Sequence, residues 1–262
     1  CGYDSIPSDL GIYFIHKSLS KKNLKVSMRV SGAKGGLSGG TYASMQNIME
    51  EATNNKEIRK SLSNPYGLNP SGEQNGPDKR DLTTIVYDKK IRSWIAPFIM
   101  AGINTRIVRR SNALSNYNYG KDFEYDEAIM TGNGFKGKLR GMLISIPLIF
   151  LAAKPGSFFN KIFNFFTPNP GEGPNKKERE NGYFSSKFFV FQENSNTSIF
   201  KVTGDRDPGY GSTSKMLAES AVCLAKDSLD STFGLLTPST AMGDKILDRL
   251  QANAGLTFQK IK

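Results

Sequence analysis

Leu24-Lys25-Val26-Ser27-Met28-Arg29-Val30 runs into Gly32-Ala33-Lys34-Gly35-Gly36-Leu37-Ser38-Gly39-Gly40, and the reading of this stretch decides the fold. Residues 24–30 alternate apolar and polar with period two, the pattern of a half-buried strand. A helix follows from about Thr41 to Ala52. The glycines therefore stand between a strand and a helix, where a dinucleotide fingerprint would stand. Their spacing is wrong for that, because no G-x-G-x-x-G can be laid on 32–40. The acid that would hold a ribose, about 20 residues on at a second strand end, is also missing. Glu50 and Glu51 fall inside the helix instead. The stretch reads as a flexible turn capped by Ser38.

Working outward, Pro7-Ser8-Asp9 is a helix start, with Asp9 near the positive end of the dipole. That helix carries Leu10, Tyr13, Phe14 and Leu19 inward and frays near Lys21. Residues 63–80 are rich in Asn, Pro, Gly and charge and read as a surface loop. A strand is expected near 82–87. Pro97 is placed as the first residue of a helix with Ile99, Ile103 and Ile107 at helical spacing. Phe123 to Ile129 alternates as a strand. Residues 183–191 and 198–203, separated by Glu193-Asn194-Ser195-Asn196, read as a hairpin. Helices near 211–227 and 240–252 close the chain. Successive strands with interspersed helices give the fold class α+β: a mixed or antiparallel sheet with helices on one face.

The chain has 262 residues, 38% hydrophobic, enough for one large domain or two small ones. Its net charge is +11, which permits attraction to anionic ligands or lipid. The charges are scattered, and no basic run carries interleaved aromatics, so nucleic acid is set aside as a partner. No secretory signal is visible at the start. Cys1 and Cys223 suggest no disulfide framework. His16 is the only histidine and lies within a helix, which leaves no Ser-His-Asp arrangement and makes a zinc site improbable.

A second glycine-bearing loop, Gly204-Asp205-Arg206-Asp207-Pro208-Gly209-Tyr210-Gly211, has the first spacing of a phosphate-binding loop. Tyr210 stands where the lysine should be, so that reading fails. Asp207-Pro208-Gly209 is a turn signal leading to a helix capped by Ser212 or Thr213. Arg106, Arg109 and Arg110 lie opposite the isoleucine stripe as a solvated basic face. The sharper alternative is a clamp for a phosphate or carboxylate. Residues 141–166 are the most hydrophobic part of the chain. The run from Met142 to Ala153 is too short to span a bilayer as a helix. With Lys136, Lys138 and Arg140 before it and Phe158, Phe159, Phe163 and Phe166 after it, it suits a segment resting in a membrane interface. A buried core helix or a homodimer contact is the alternative.

Six ordered blocks carry a resemblance over nearly the whole chain: CGYDSIPSDLG at 1–11, SGGTYASM at 38–45, RIVRRSNAL at 106–114, PGEGP with NGYF at 170–184, DPGYGSTSKMLAESAVCLA at 207–225 and LLTPSTAMGDKILDRL at 235–250. Together they resemble the saccharopine dehydrogenase-like oxidoreductases, in the branch of trans-acting enoyl reductases. The resemblance implies an NAD(P) cofactor held by a Rossmann domain that precedes residue 1. It implies that residues 1–22 complete that domain, that 23–204 form the substrate and dimerisation part, and that the helices of 205–262 pack back toward the cofactor.

Within that frame Asp4, Ser5, Ile6 and Pro7 are the expected cofactor-binding residues. They offer a carboxylate, a hydroxyl, an apolar contact and a rigid turn beside a flat nicotinamide. The expected substrate-binding residues are Ser38, Gly39, Gly40, Thr41, Asp207 and Tyr210. Tyr3, Tyr42 and Tyr210 are candidate proton donors. The implied substrate is a lipid or acyl-type molecule, at a membrane or lipid-droplet surface or in the cytoplasm. A non-enzymatic lipid-surface protein and a saccharopine-type amino-acid dehydrogenase are the alternatives. The loops 1–11 and 204–214 are expected to lie side by side.

Overall fold

The computed structural model describes residues 1–35, 39–151, 171–192, 196–230 and 233–262. One seven-stranded mixed sheet organises them, in the order β2-β3-β4-β1-β5-β6-β7. The strands are β1 (Lys25–Lys34), β2 (Val86–Asp88), β3 (Ser93–Ala96), β4 (Glu124–Gly132), β5 (Tyr183–Phe191), β6 (Thr197–Gly204) and β7 (Leu256–Lys260). β1 lies at the centre, parallel to β4 and antiparallel to β5. The helices are α1 (Ile6–Leu19), α2 (Gly39–Asn54), α3 (Lys56–Ser63), α4 (Ala101–Leu114), α5 (Gly134–Leu151), α6 (Lys176–Glu180), α7 (Gly211–Lys226) and α8 (Pro238–Asn253).

The alternation read in β1 holds. Val26, Met28 and Val30 are buried in the core with Tyr125 of β4, Phe188 and Val190 of β5, and Phe200 and Val202 of β6. Ile6, Leu10, Ile12 and Ile15 of α1 and Ile246 and Leu250 of α8 close that core from the helix side. Truncating one such Phe to Ala typically costs about 3–5 kcal/mol. On the opposite face Arg29 is almost fully buried, yet it is paired with Asp126 at 2.5 Å and Asp88 at 3.2 Å. Ser27 Oγ also donates to Asp126, at 2.6 Å.

Asp9 does more than meet the dipole of its own helix. Its carboxylate accepts from Ser111 Oγ of α4 and, at 2.8 Å, from the backbone N–H of Ser239 in the first turn of α8. One buried carboxylate thereby ties α1, α4 and α8 together. Burial raises its pKa to about 6 against the opposing pull of those hydrogen bonds.

Three expectations are corrected. The strand near 82–87 is only β2, residues 86–88, and it pairs with β3, which periodicity did not reveal. The helix expected from Pro97 begins at Ala101, and Ile103 faces solvent while Arg106 and Arg109 face inward. The basic face is therefore not solvated. Arg109 Nε donates to Asp78 at 2.5 Å, and its other nitrogens donate to the carbonyls of Pro65 and Tyr125. Arg106 donates to Asp81 at 2.8 Å and to the carbonyl of Leu62. Arg110 donates to the carbonyls of Leu68 and Leu235. These arginines staple the 62–81 loop and the 233–236 turn to α4, so the anion-clamp reading is replaced by a structural one. The short strand β7, with Leu256 and Phe258 inward, was also not anticipated.

The apolar segment begins as α5, whose side chains are described as far as Leu148. Leu139, Met142, Leu143, Ile144 and Ile146 are exposed, Leu143 by 58%. Phe158, Phe159, Phe163 and Phe166 lie outside the described residues. Among the described residues no helix is long and apolar enough to cross a membrane.

Candidate functional site

The first loop and the 204–214 loop meet. The backbone N–H of Tyr3 donates to Thr213 Oγ1 at 3.0 Å, and that hydroxyl donates to the Pro208 carbonyl at 2.8 Å. The turn before α7 is built by Asp207 rather than by Ser212 or Thr213. Its carboxylate accepts from the N–H groups of Gly211 at 2.8 Å and Tyr210 at 3.1 Å. Asp207 is fully buried and presses against the end of β1. A Cβ on Gly35, at φ +156°, would stand 2.6 Å from the Asp207 Cβ. Only glycine allows β1 to end that close to the turn.

A cavity of about 550 Å³ opens where these segments converge. Cys1, Gly2, Tyr3 and Asp4 form one wall, Gly40 and Thr41 at the start of α2 a second, and Pro208, Gly209, Tyr210 and Thr213 a third. Phe98, Ile99 and Met100 add an apolar wall from the segment before α4. Those three residues were read as part of a helix, and no signal in the sequence pointed to them as lining residues. A second cavity, about 770 Å³, adjoins the first through Gly35 and Tyr210 and is lined by Lys34, Glu172, Asn175, Glu178 and Arg179. A third, about 760 Å³, lies on the other side of Asp4 and Cys1 and is largely apolar, with Ile103, Ile107, Leu224, Leu229 and Met242.

The ten expected site residues divide accordingly. Asp4, Gly40, Thr41 and Tyr210 share the first cavity. Ser5 is buried and touches the third. Ile6 and Pro7 point into the core and line none of these cavities. Gly39 donates its N–H to the Glu172 carbonyl at 3.0 Å, holding α2 against the 171–174 segment. Asp207 shapes the turn and lines none of these three cavities. Ser38 lies outside the described residues.

The three candidate phenols differ in where their hydroxyls go. Tyr3 packs edge-on against Phe98 and Phe184, and its hydroxyl lies with Ser186 in the interior. Burial, then the charges of Glu127 and Asp4, push its pKa upward. Tyr42 is buried, and its hydroxyl accepts from Gln46 at 2.7 Å. Tyr210 stands at the seam of the first two cavities, its hydroxyl 3.5 Å from the Glu172 carbonyl. Of the three, Tyr210 is the one that lines both cavities.

Beneath the loop lies Glu127, fully buried on β4. It accepts from Tyr125 Oη at 2.7 Å and from Asn104 Nδ2 at 3.0 Å. Burial raises its pKa to about 7 against hydrogen bonds from Ser8, Tyr125 and Asn104.

The chain is similar over nearly its full length to mycobacterial enoyl reductases. A Mycobacterium tuberculosis protein provisionally named trans-acting enoyl reductase is 34% identical over 280 residues, covering 99% of this chain and 65% of that protein. The trans-acting enoyl reductase of Mycobacterium ulcerans is 31% identical over 274 residues, covering 95% of this chain and 64% of that protein. That of Mycobacterium bovis is 30% identical over 275 residues, with the same coverage. The chain thus spans just under two thirds of the length of these relatives. No family model matches the chain, and no solved structure does.

Proposed function

We propose that this chain is the substrate-binding part of an NAD(P)-dependent enoyl reductase acting on an acyl-type substrate. The observation that carries the reading is the first cavity, where Asp4, Thr41, Phe98 and Tyr210 converge from four separate segments. Likeness to trans-acting enoyl reductases supplies the reaction class. In this reading the cofactor-binding domain belongs to the third of the relatives' length that the chain does not span. Residues 1–22 and the helices of 205–262 are then the side presented to it.

The first cavity fits a flat ring. Gly40 leaves one wall without a side chain, with the Tyr210 hydroxyl 3.8 Å from where its Cβ would stand, and Asp4 offers a carboxylate at the rim. The nicotinamide supplies a hydride when bound. Among this chain's own residues, Phe98, Ile99 and Met100 exclude water from an apolar chain, and Thr41 binds the polar end of the substrate. Tyr210 Oη gives a proton to the carbon next to the carbonyl as the hydride arrives at the other alkene carbon. The phenolate is reprotonated from solvent through the open second cavity.

The test is NADPH oxidation with an enoyl thioester by the full-length protein that contains this chain. Tyr210→Phe should lower kcat by about 10²–10⁴-fold, the range of general-acid contributions, with KM little changed. Full activity in that variant would remove Tyr210 from the chemistry. Absence of any NADPH-dependent reduction across enoyl thioesters would remove the reductase reading itself.

A second reading rests on α5. Its exposed Met142, Leu143 and Ile146 follow Lys136, Lys138 and Arg140, with exposed Leu139 among them, which suits contact with an anionic membrane or lipid-droplet surface. This reading is compatible with the first and would bring the cavity to a lipid substrate.

A further inference from the structure

Arg29 of β1, Lys187 of β5 and Lys201 of β6 are direct cross-strand neighbours, so three cations stand in a row on the face of the sheet opposite the core. Arg29 is neutralised by Asp126 and Asp88. Lys187 and Lys201 form no hydrogen bond or ion pair among the described residues, and both are half-buried. Like charges directly opposite each other destabilise a strand pair. An anion placed between them would reverse the sign of that interaction. The surroundings suit one. Lys187, Lys201, Tyr183, Ser31 and Ser185 line a hollow of about 440 Å³, with the two serine hydroxyls 2.9 Å apart.

The hollow also points somewhere. Along the same face Gly32 pairs with Ser185 and Lys34 with Tyr183. Lys34 is exposed and lines the second cavity together with Arg179, and Tyr210 joins that cavity to the first. From the level of Arg29 and Lys187 to Lys34, the last residue of β1, is five residues, about 17 Å at 3.3 Å per residue. Lys34 therefore stands on β1 between the lysine pair and the candidate site, in a cavity that Glu172 and Glu178 also line. The arginines of α4 offer no rival anion site, because their terminal guanidinium nitrogens all donate within the fold.

We propose that Lys187 and Lys201 hold the phosphate ester at the outer end of an elongated ligand whose other end reaches the Tyr210 cavity. This rests on the substrate-binding reading above and assigns to these two lysines the outer, anionic end of its acyl substrate.

The experiment is calorimetric titration of the full-length protein with 4′-phosphopantetheine and with pantetheine, which lacks the phosphate. Phosphopantetheine should bind about tenfold or more tightly than pantetheine, the scale of charge-assisted hydrogen bonds. Raising the salt should shrink the difference. In Lys187→Glu/Lys201→Glu the preference should vanish, while Lys187→Arg/Lys201→Arg should keep it. Lys187→Gln/Lys201→Gln, which removes the like-charge pair, should also lose the preference and melt no lower than the parent in the absence of ligand. Equal binding of the two ligands, or an undiminished preference in the Glu variant, would overturn the site. Loss confined to phosphatidylglycerol vesicles, with phosphopantetheine binding intact, would assign the lysines to a lipid surface and overturn it too. Binding is read without turnover, so a protein that shows the preference and reduces nothing would sink the reductase reading alone.

Discussion

Tyr3 and Thr213 are 210 residues apart in the chain and joined by a single hydrogen bond, N–H to Oγ1, at 3.0 Å. The same hydroxyl holds the Pro208 carbonyl, so one side chain sets the distance between two walls of the candidate cavity. Thr213→Val keeps the shape and removes both bonds. It should cost about 1–3 kcal/mol, the scale of leaving a buried backbone donor unsatisfied. Thr213→Ser should recover most of it. Urea denaturation of the three proteins checks this, and a Val variant as stable as the parent would show that the loops are held by other means.

Arg109 and Asp78 form a buried pair with side chains only 2% and 5% exposed. Burial pushes the Asp78 carboxyl up, and Arg109 opposes that shift. Arg109→Ala would strand a buried carboxylate, at a cost of about 3–5 kcal/mol. Arg109→Lys should restore little, because an ammonium cannot also reach the carbonyls of Pro65 and Tyr125. The check is the denaturation midpoint. A midpoint unchanged in Arg109→Ala would return these arginines to the solvated face read from the sequence.

Glu127 gives a pH dependence with a definite sign. Its folded-state pKa is raised, from an ordinary 4.5 to about 7, chiefly by burial. Between those values the folded protein binds more protons than the unfolded chain. The contribution of Glu127 is therefore fully present below about pH 4.5 and lost as pH rises toward 7, on the order of 3 kcal/mol in all. Asp9, raised to about 6, acts in the same direction over a lower window. Glu127→Gln should flatten the fall in stability between pH 5 and pH 7. An identical pH profile for parent and variant would show that Glu127 is ionised in the folded state throughout.

Gly11 lies in α1 with its Cα against the Phe188 ring. A Cβ there would come within 2.5 Å of Phe188 Cζ. Alanine gains about 1 kcal/mol in helix propensity, but overpacking a rigid buried ring costs about 1–3 kcal/mol. Gly11→Ala should therefore be destabilising on balance. A raised melting temperature would show that Phe188 moves aside freely.

Much of the fold was legible because the amphipathic pattern is strong where one face of an element is apolar. β1, β4 and the hairpin β5–β6 announce themselves by alternation, and their mixed sheet follows. α4 shows where such reading stops. Its inward face carries Asn104, Thr105, Arg109, Ser111 and Asn112, buried beneath 10% exposure. Most of them bond a partner outside the helix, such as Glu127 for Asn104 and Asp9 for Ser111. A polar side chain that has a partner looks the same in a sequence as one in water, so the isoleucines were turned inward and the arginines outward. The meeting of the two loops was legible from the ordered motifs. The wall formed by Phe98, Ile99 and Met100 was not, because three apolar residues after a proline carry no sign of what they face.

The central place of β1 has a consequence for synthesis. Its neighbours are β4, about a hundred residues later, and β5, whose last residue is Phe191. At about 5–20 residues per second, roughly 10–30 s pass between the emergence of β1 and that of β5. Throughout that interval Val26, Met28 and Val30 have one edge of their strand without its eventual neighbour. The middle of the sheet is thus translated early and completed late, and a ribosome that pauses before Phe191 holds a half-built sheet in need of a chaperone.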